Sequence, residues 1–77
     1  MKIEDFVAKF ESAIDDLEPG SLSPESIFRE VPQWDSLAAL SVLVMVNSEL
    51  NVTISGNELK SCTTVGDIYR IVSAKMI

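Results

Sequence analysis

The chain has no histidine, one cysteine, three glycines and only six basic residues among 77. Each scarcity excludes something. Without histidine there is no Ser–His–Asp triad and no Cys–His nucleophile pair. The lone thiol, Cys62, cannot close a disulfide, and with no imidazole to join it no metal site is read. It reads as a small packed residue of a protein kept in a reducing, cytoplasmic compartment. The glycines stand apart, in "EPG", "SGNE" and "TVGD", so no glycine-rich phosphate loop is present. No charged segment followed by an apolar one opens the chain, so no signal peptide is read. The longest apolar run, Leu37 to Val46, is broken by Ser41 and is too short to span a bilayer. Twelve acidic residues against six basic ones leave a net charge of −6. That balance repels a phosphate backbone and argues against nucleic-acid binding. It suits a soluble protein that meets basic patches on its partners.

What is present is helical. Seventy-seven residues make one small domain, residues 1–77, with a modest core. In "IEDFVAKFESAIDDL", Ile3, Phe6, Val7, Phe10, Ile14 and Leu17 recur at steps of three and four, with Ala13 beside them. This is the stripe of an amphipathic helix. Glu4 and Asp5 suit its positive N-terminal end, and "EPG" at 18–20 stops it. Residues 18–35 have no long period. Ser23 and Pro24 offer a cap and a first helical position for a single turn. Ile27, Phe28, Val31 and Trp34 are apolar enough to pin this segment to the core as an ordered loop. Trp34 reads as a loop anchor rather than a ligand platform. A second helix is expected from about Ser36 to Leu50, stopped by Asn51. "SGNE" and "TVGD" are capping boxes for a short third helix, to about Ser61, and a last helix. The last helix has Val65, Ile68, Tyr69 and Val72 on its inner stripe and Ile71 at the edge. Val52 and Ile54 plug the connection. The strand signal in "LNVTIS" has no partner. The class is all-α: a small four-helix bundle with three main helices, a short third one, and a long ordered loop between the first two.

The second helix is apolar on almost every side. A helical wheel puts Ala39, Val42, Leu43, Val46 and Leu50 on a core face. Opposite lie Leu37, Leu40, Ser41, Val44, Asn47 and Ser48. Two readings compete for the second face. The loop folds over it, or it is a docking patch. Leu37 and Val44 are assigned to docking, because serines beside them mark a wet surface. Leu40 is divided evenly between the two readings. At the N-terminal edge stands Ser36, between Asp35 and Leu37. Spacing alone makes Ser36 the helix cap. A helix N-terminus also accommodates a phosphate, with a gain of about 0.3–1 kcal/mol.

These features together resemble the acyl carrier protein family. "DSL" (Asp35, Ser36, Leu37) matches the family's attachment motif, in which the serine carries 4′-phosphopantetheine. The likeness covers nearly the whole chain. It includes the amphipathic first helix, the ordered loop, the serine opening the second helix, the short third helix, and "TTVGDIY" (Thr63 to Tyr69) at the start of the last one. The resemblance implies that a phosphopantetheinyl transferase moves the arm from coenzyme A onto Ser36. It implies that Asp35 helps that transferase place its metal ion. The terminal thiol of the arm, not Cys62, would hold an acyl group as a thioester. The chain would then be a monomeric shuttle between partner enzymes and not itself an enzyme. Leu37, Leu40, Ser41, Val44 and Glu49 would meet those partners: an acyl- or adenylate-forming ligase, a synthase or an acyltransferase.

The departures from the family pattern matter too. Ala38, Ser41, Asn47 and Ser48 stand where acids are common on the second helix, and only Glu49 remains. The negative charge is placed in and just after the first helix, on Glu4, Asp5, Glu11, Asp15, Asp16 and Glu18. Asp15, Asp16 and Glu18 read as a solvated helix end, since their spacing is not that of an EF-hand loop. This implies weak docking on general fatty acid enzymes and partners that read Leu37, Leu40 and Val44 more than charge. The expectation is a specialised carrier in a lipid or secondary pathway. "WDSL" keeps open a cargo of amino acid or other carboxylate loaded by an adenylating ligase. An unmodified interaction module with the same fold is the third reading.

Overall fold

The computed structural model describes residues 1–76. Four α-helices run in the order α1 (Ile3–Ala13), α2 (Ser36–Leu50), α3 (Gly56–Ser61) and α4 (Val65–Lys75), with a 3-10 turn at Phe28–Glu30 between the first two. Among the described residues there is no strand, only an isolated bridge between Ile27 and Thr64. α1 packs against both α2 and α4.

Phe6, Val7 and Phe10 of α1 enter the core, as the stripe requires. The helix stops at Ala13, four residues before the expected Leu17. Ile14 is already extended, and Asp16 adopts a left-handed φ of 65°. The last turn holds no base, and two acids follow it, so the negative end of the helix is not neutralised. Ile14 and Leu17 still pack inward, from the turn rather than from the helix.

All five aromatic residues join one network. Phe10 lies 6.3 Å from Phe6, 5.8 Å from Phe28 and 6.0 Å from Trp34, centroid to centroid. Phe28 meets Trp34 edge-on at 4.7 Å, and Tyr69 lies 5.6 Å from Phe6. Phe28, Val31 and Trp34 therefore anchor the loop as expected. Ile27 does not; its side chain is exposed while its backbone bridges to Thr64. The helical turn also falls later than Ser23–Pro24. There the backbone makes a hydrogen-bonded turn, Ser26 N to Ser23 O, and the Ser26 hydroxyl accepts from the Ser23 N–H.

Polar contacts sew the loop down in three places. The Glu11 carboxylate, on a buried residue, accepts from Gly20 N at 3.1 Å and Leu22 N at 2.8 Å. Gly66 N donates to Pro24 O at 2.8 Å, and a Cβ on Gly66 would lie 3.0 Å from that oxygen, so any larger residue would push the Pro24 backbone back by a few tenths of an ångström. Arg29 donates to the carbonyls of Leu59, Lys60 and Cys62 at the end of α3, with its guanidinium 4.8 Å above the Phe28 ring. The sequence reading counts Glu11 among the acids of the first helix, and the structure shows that, unlike Glu4 and Asp5, it is buried. Glu11→Ala should cost about 1–3 kcal/mol in urea denaturation, because two backbone donors lose their acceptor. Hydrogen exchange at Gly20 and Leu22 should quicken in that variant, while Glu11→Gln keeps an acceptor oxygen and much of the protection.

The capping boxes at Ser55/Glu58 and Thr64/Asp67 form as expected. They carry a pH dependence. Glu58 is held below its ordinary 4.5, first by the Ser55 N–H and then by Lys75. Asp67 is held below its ordinary 3.8 by the Thr64 and Thr63 N–H groups. A depressed carboxylate contributes stability that is complete above its unfolded pKa and is lost as pH falls through the folded one. Melting temperature should therefore fall below about pH 4. In Glu58→Gln/Asp67→Asn that acid loss should be shallower, which thermal melts from pH 7 to pH 2 will show.

Candidate functional site

α2 starts at Ser36, but Ser36 does not cap it. Asp35 occupies the cap position, and its Oδ1 accepts from Ala38 N at 2.8 Å. The expectation of a serine cap is corrected for a simple reason. Asp35 is extended and its carboxylate reaches the third helical N–H, whereas Ser36 already lies inside the first turn. The Ser36 side chain is exposed, and its hydroxyl has no hydrogen-bond partner among the described residues. A capped helix end thus presents an uncommitted nucleophilic oxygen.

Two clefts open at this end of α2; Asp35 lines both, and Ser36 lines the second. One, of about 170 Å³, is bordered by Asp15, Asp16, Gln33, Asp35, Leu37 and Ser41. The other, of about 380 Å³, lies between α2, α3 and the loop. Trp34, Ala39, Leu43 and Leu59 form its apolar wall, and Arg29, Asp35, Ser36 and Lys60 line the rest.

Along α2 the faces are turned slightly from the wheel. Ala38, Val42, Met45 and Val46 are buried, while Ala39, Leu43 and Leu50 are half-buried. Ala38 and Met45 thus belong to the core, which the wheel missed. Leu37, Leu40 and Val44 are 63%, 56% and 57% exposed, and this settles Leu40: the loop does not cover it. Ser41 is half-buried between them. Glu49 lies at the far end of the helix and pairs with Lys9 of α1 at 2.9 Å. Cys62 is buried, donates to Glu58 O, and burial pushes its thiol above the ordinary value. The sequence reading missed Arg29 and Lys60, which line the same cleft as Ser36. Neither has a local signal, since both arrive from other segments.

The description of the family model that matches residues 7–72 is phosphopantetheine attachment site. The chain belongs to that family. It is a carrier protein of the acyl carrier type, with 4′-phosphopantetheine as its covalent group. A solved relative agrees in fold. The solution NMR structure of holo acyl carrier protein from Geobacter metallireducens superposes with a TM-score of 0.79 at 25% identity, over 99% of this chain and 87% of that one. No curated protein matches the chain.

The residues present fit such a group. The carrier offers an exposed hydroxyl with no other task, on a helix N-terminus whose positive end favours a phosphodiester. Arg29 and Lys60 add cationic charge on the α3 side. The apolar wall formed by Trp34, Leu43 and Leu59 gives the uncharged part of an arm a dry surface to lie along. When bound, the group supplies a flexible tether ending in a thiol. No helix among the described residues is long and apolar enough to cross a membrane.

Proposed function

We propose that Ser36 is the attachment residue and that the chain shuttles an acyl group as a thioester between partner enzymes, without catalysing a reaction itself. The observation that carries this is the division of labour at the start of α2. Asp35 does the capping, so the Ser36 hydroxyl stands free, exposed and within the helix dipole. A phosphopantetheinyl transferase supplies the chemistry. Ser36 Oγ forms a bond to the phosphorus that carries pantetheine, its proton goes to solvent or a transferase base, and adenosine bisphosphate leaves coenzyme A. Asp35 borders the reaction point and is available to the transferase's metal ion. Leu37, Leu40, Ser41 and Val44 form the face that partners read, with Glu49 at its far end. Residues 1–77 act as one carrier domain, and the lone thiol suits a cytoplasmic setting.

The test is direct. The carrier is incubated with coenzyme A and a broad-range transferase, weighed intact, and then digested. One phosphopantetheinyl group on the peptide containing Ser36 is the expected result. No gain, or a gain on another peptide, removes the assignment. Loading of the modified carrier with an acyl group or an amino acid then identifies the cargo class.

A further inference from the structure

The chain has six basic residues, and the fold engages four of them. Lys9, Arg70 and Lys75 pair with Glu49, Asp67 and Glu58. Arg29 is committed through both terminal nitrogens. Its Nη1 donates to Cys62 O, and its Nη2 donates to Leu59 O at 3.1 Å and to Lys60 O at 2.8 Å. Lys2 and Lys60 form no ion pair among the described residues. Of these two, only Lys60 lines the cleft that contains Ser36. Lys60 is exposed, so its ammonium can turn, while Arg29 fixes the backbone from which it turns. The same guanidinium holds the backbone of Leu59, which is part of the apolar wall. The other cleft at this end of α2 has the opposite sign: Asp15, Asp16 and Asp35 line it, and no base does.

We infer that Lys60 holds the phosphodiester of the arm on Ser36 and thereby lays the arm along Trp34, Leu43 and Leu59. This rests on Ser36 being the attachment residue. A phosphodiester carries one negative charge close to the chain. Toward Asp15 and Asp16 it meets like charge. Toward α3 it meets a cation with no other partner. Asp35 lines both clefts, so its carboxylate does not choose between them. A lysine suits the task, because an ammonium is a compact charge that can approach a phosphate oxygen from many directions. Arg29 is a positioning residue here: by donating to Leu59 O and Lys60 O it keeps the cation and the apolar wall in one register. With the phosphate held, the uncharged part of the arm rests on the wall instead of in water. The resting place of the arm between partner enzymes is then set from α3, by one side chain.

The test compares four modified carriers by NMR: the wild type, Lys60→Gln, Lys60→Arg and Lys2→Gln. Lys2→Gln removes the same charge as Lys60→Gln from a residue that does not line the cleft. Peptide mapping of the modified wild type comes first, so a failure of the attachment assignment shows there and a failure of this inference shows only in the spectra. The readouts are the phosphorus chemical shift and the nuclear Overhauser contacts between arm protons and the indole of Trp34, the one tryptophan of the chain. At about 20 mM salt the wild type should show those contacts, since screening is weak there. In Lys60→Gln the ratio of docked to free arm should fall about three-fold, the scale of one exposed ion pair, and the phosphorus resonance should move. Lys60→Arg and Lys2→Gln should stay close to the wild type. At about 500 mM salt, where screening reaches a few ångströms, the wild type should approach Lys60→Gln. Absence of arm contacts to Trp34 in the wild type overturns the inference, and so does an unchanged ratio in Lys60→Gln. Equal loss in Lys2→Gln would reduce the effect to overall charge and overturn it as well. A loss in Lys60→Arg as large as in Lys60→Gln, or a difference that persists at high salt, has the same consequence.

Discussion

Ser36→Ala will take up no phosphopantetheinyl group, yet unfold within about 0.5 kcal/mol of the wild type. The two halves of this result come from the same geometry. The Ser36 hydroxyl makes no hydrogen bond among the described residues and its side chain is exposed, so its removal leaves no buried group unsatisfied. The N–H of Ala38 keeps its acceptor, because that acceptor is Asp35. Asp35→Ala should behave in the opposite way on stability. It removes the cap and should cost about 1 kcal/mol while leaving the nucleophile in place. Intact mass spectrometry and urea denaturation of the two variants read both effects. A Ser36→Ala protein that still gains the group, or one that loses about as much stability as Asp35→Ala, would contradict the arrangement described.

Phe10→Ala is expected to have the largest effect on folding, a loss of about 3–5 kcal/mol. A 77-residue chain has a total stability of about 4–12 kcal/mol, so this one truncation approaches the whole. Phe10 is fully buried and stands at the junction of the aromatic network, in reach of Phe6, Phe28 and Trp34. Its removal detaches α1 from the loop that leads to Ser36. The variant should lose near-ultraviolet circular dichroism and cooperative melting at 25 °C, and its modification by coenzyme A and transferase should slow. Retention of a sharp transition with a loss below about 1 kcal/mol would mean that the network collapses onto the gap without difficulty.

Much of this architecture is local and therefore legible in the amino-acid order. The α1 stripe, the two capping boxes and the Asn51 stop each depend on residues three or four apart. Phe28 and Trp34 were recognisable as anchors because large apolar groups in a loop need a place out of water. The points that differed have nonlocal causes. Glu11 looks like any surface acid until Gly20 and Leu22 fold back over it. Ser36 and Asp35 are both good caps, and only the backbone angle at Asp35 decides between them. Asp15 and Asp16 do form the solvated end of α1, and what the amino-acid order did not show is that Gln33 holds their turn so that they share a cleft with Leu37.

By itself the sequence determined a small all-helical domain, because periodicity and caps are short-range patterns; that it is a carrier followed from a likeness to the family over nearly the whole chain, of which "DSL" is one part. It also determined that α2 would carry apolar residues beyond the needs of a core. Which of them face solvent is a tertiary matter. A helix apolar all round has no preferred side of its own, so its rotation follows from what α1 and the rest of the core leave room for. The same packing decided where the negative charge lies. Electrostatic attraction depends on distance in space, and only the folded chain sets Asp15 and Asp16 next to Asp35.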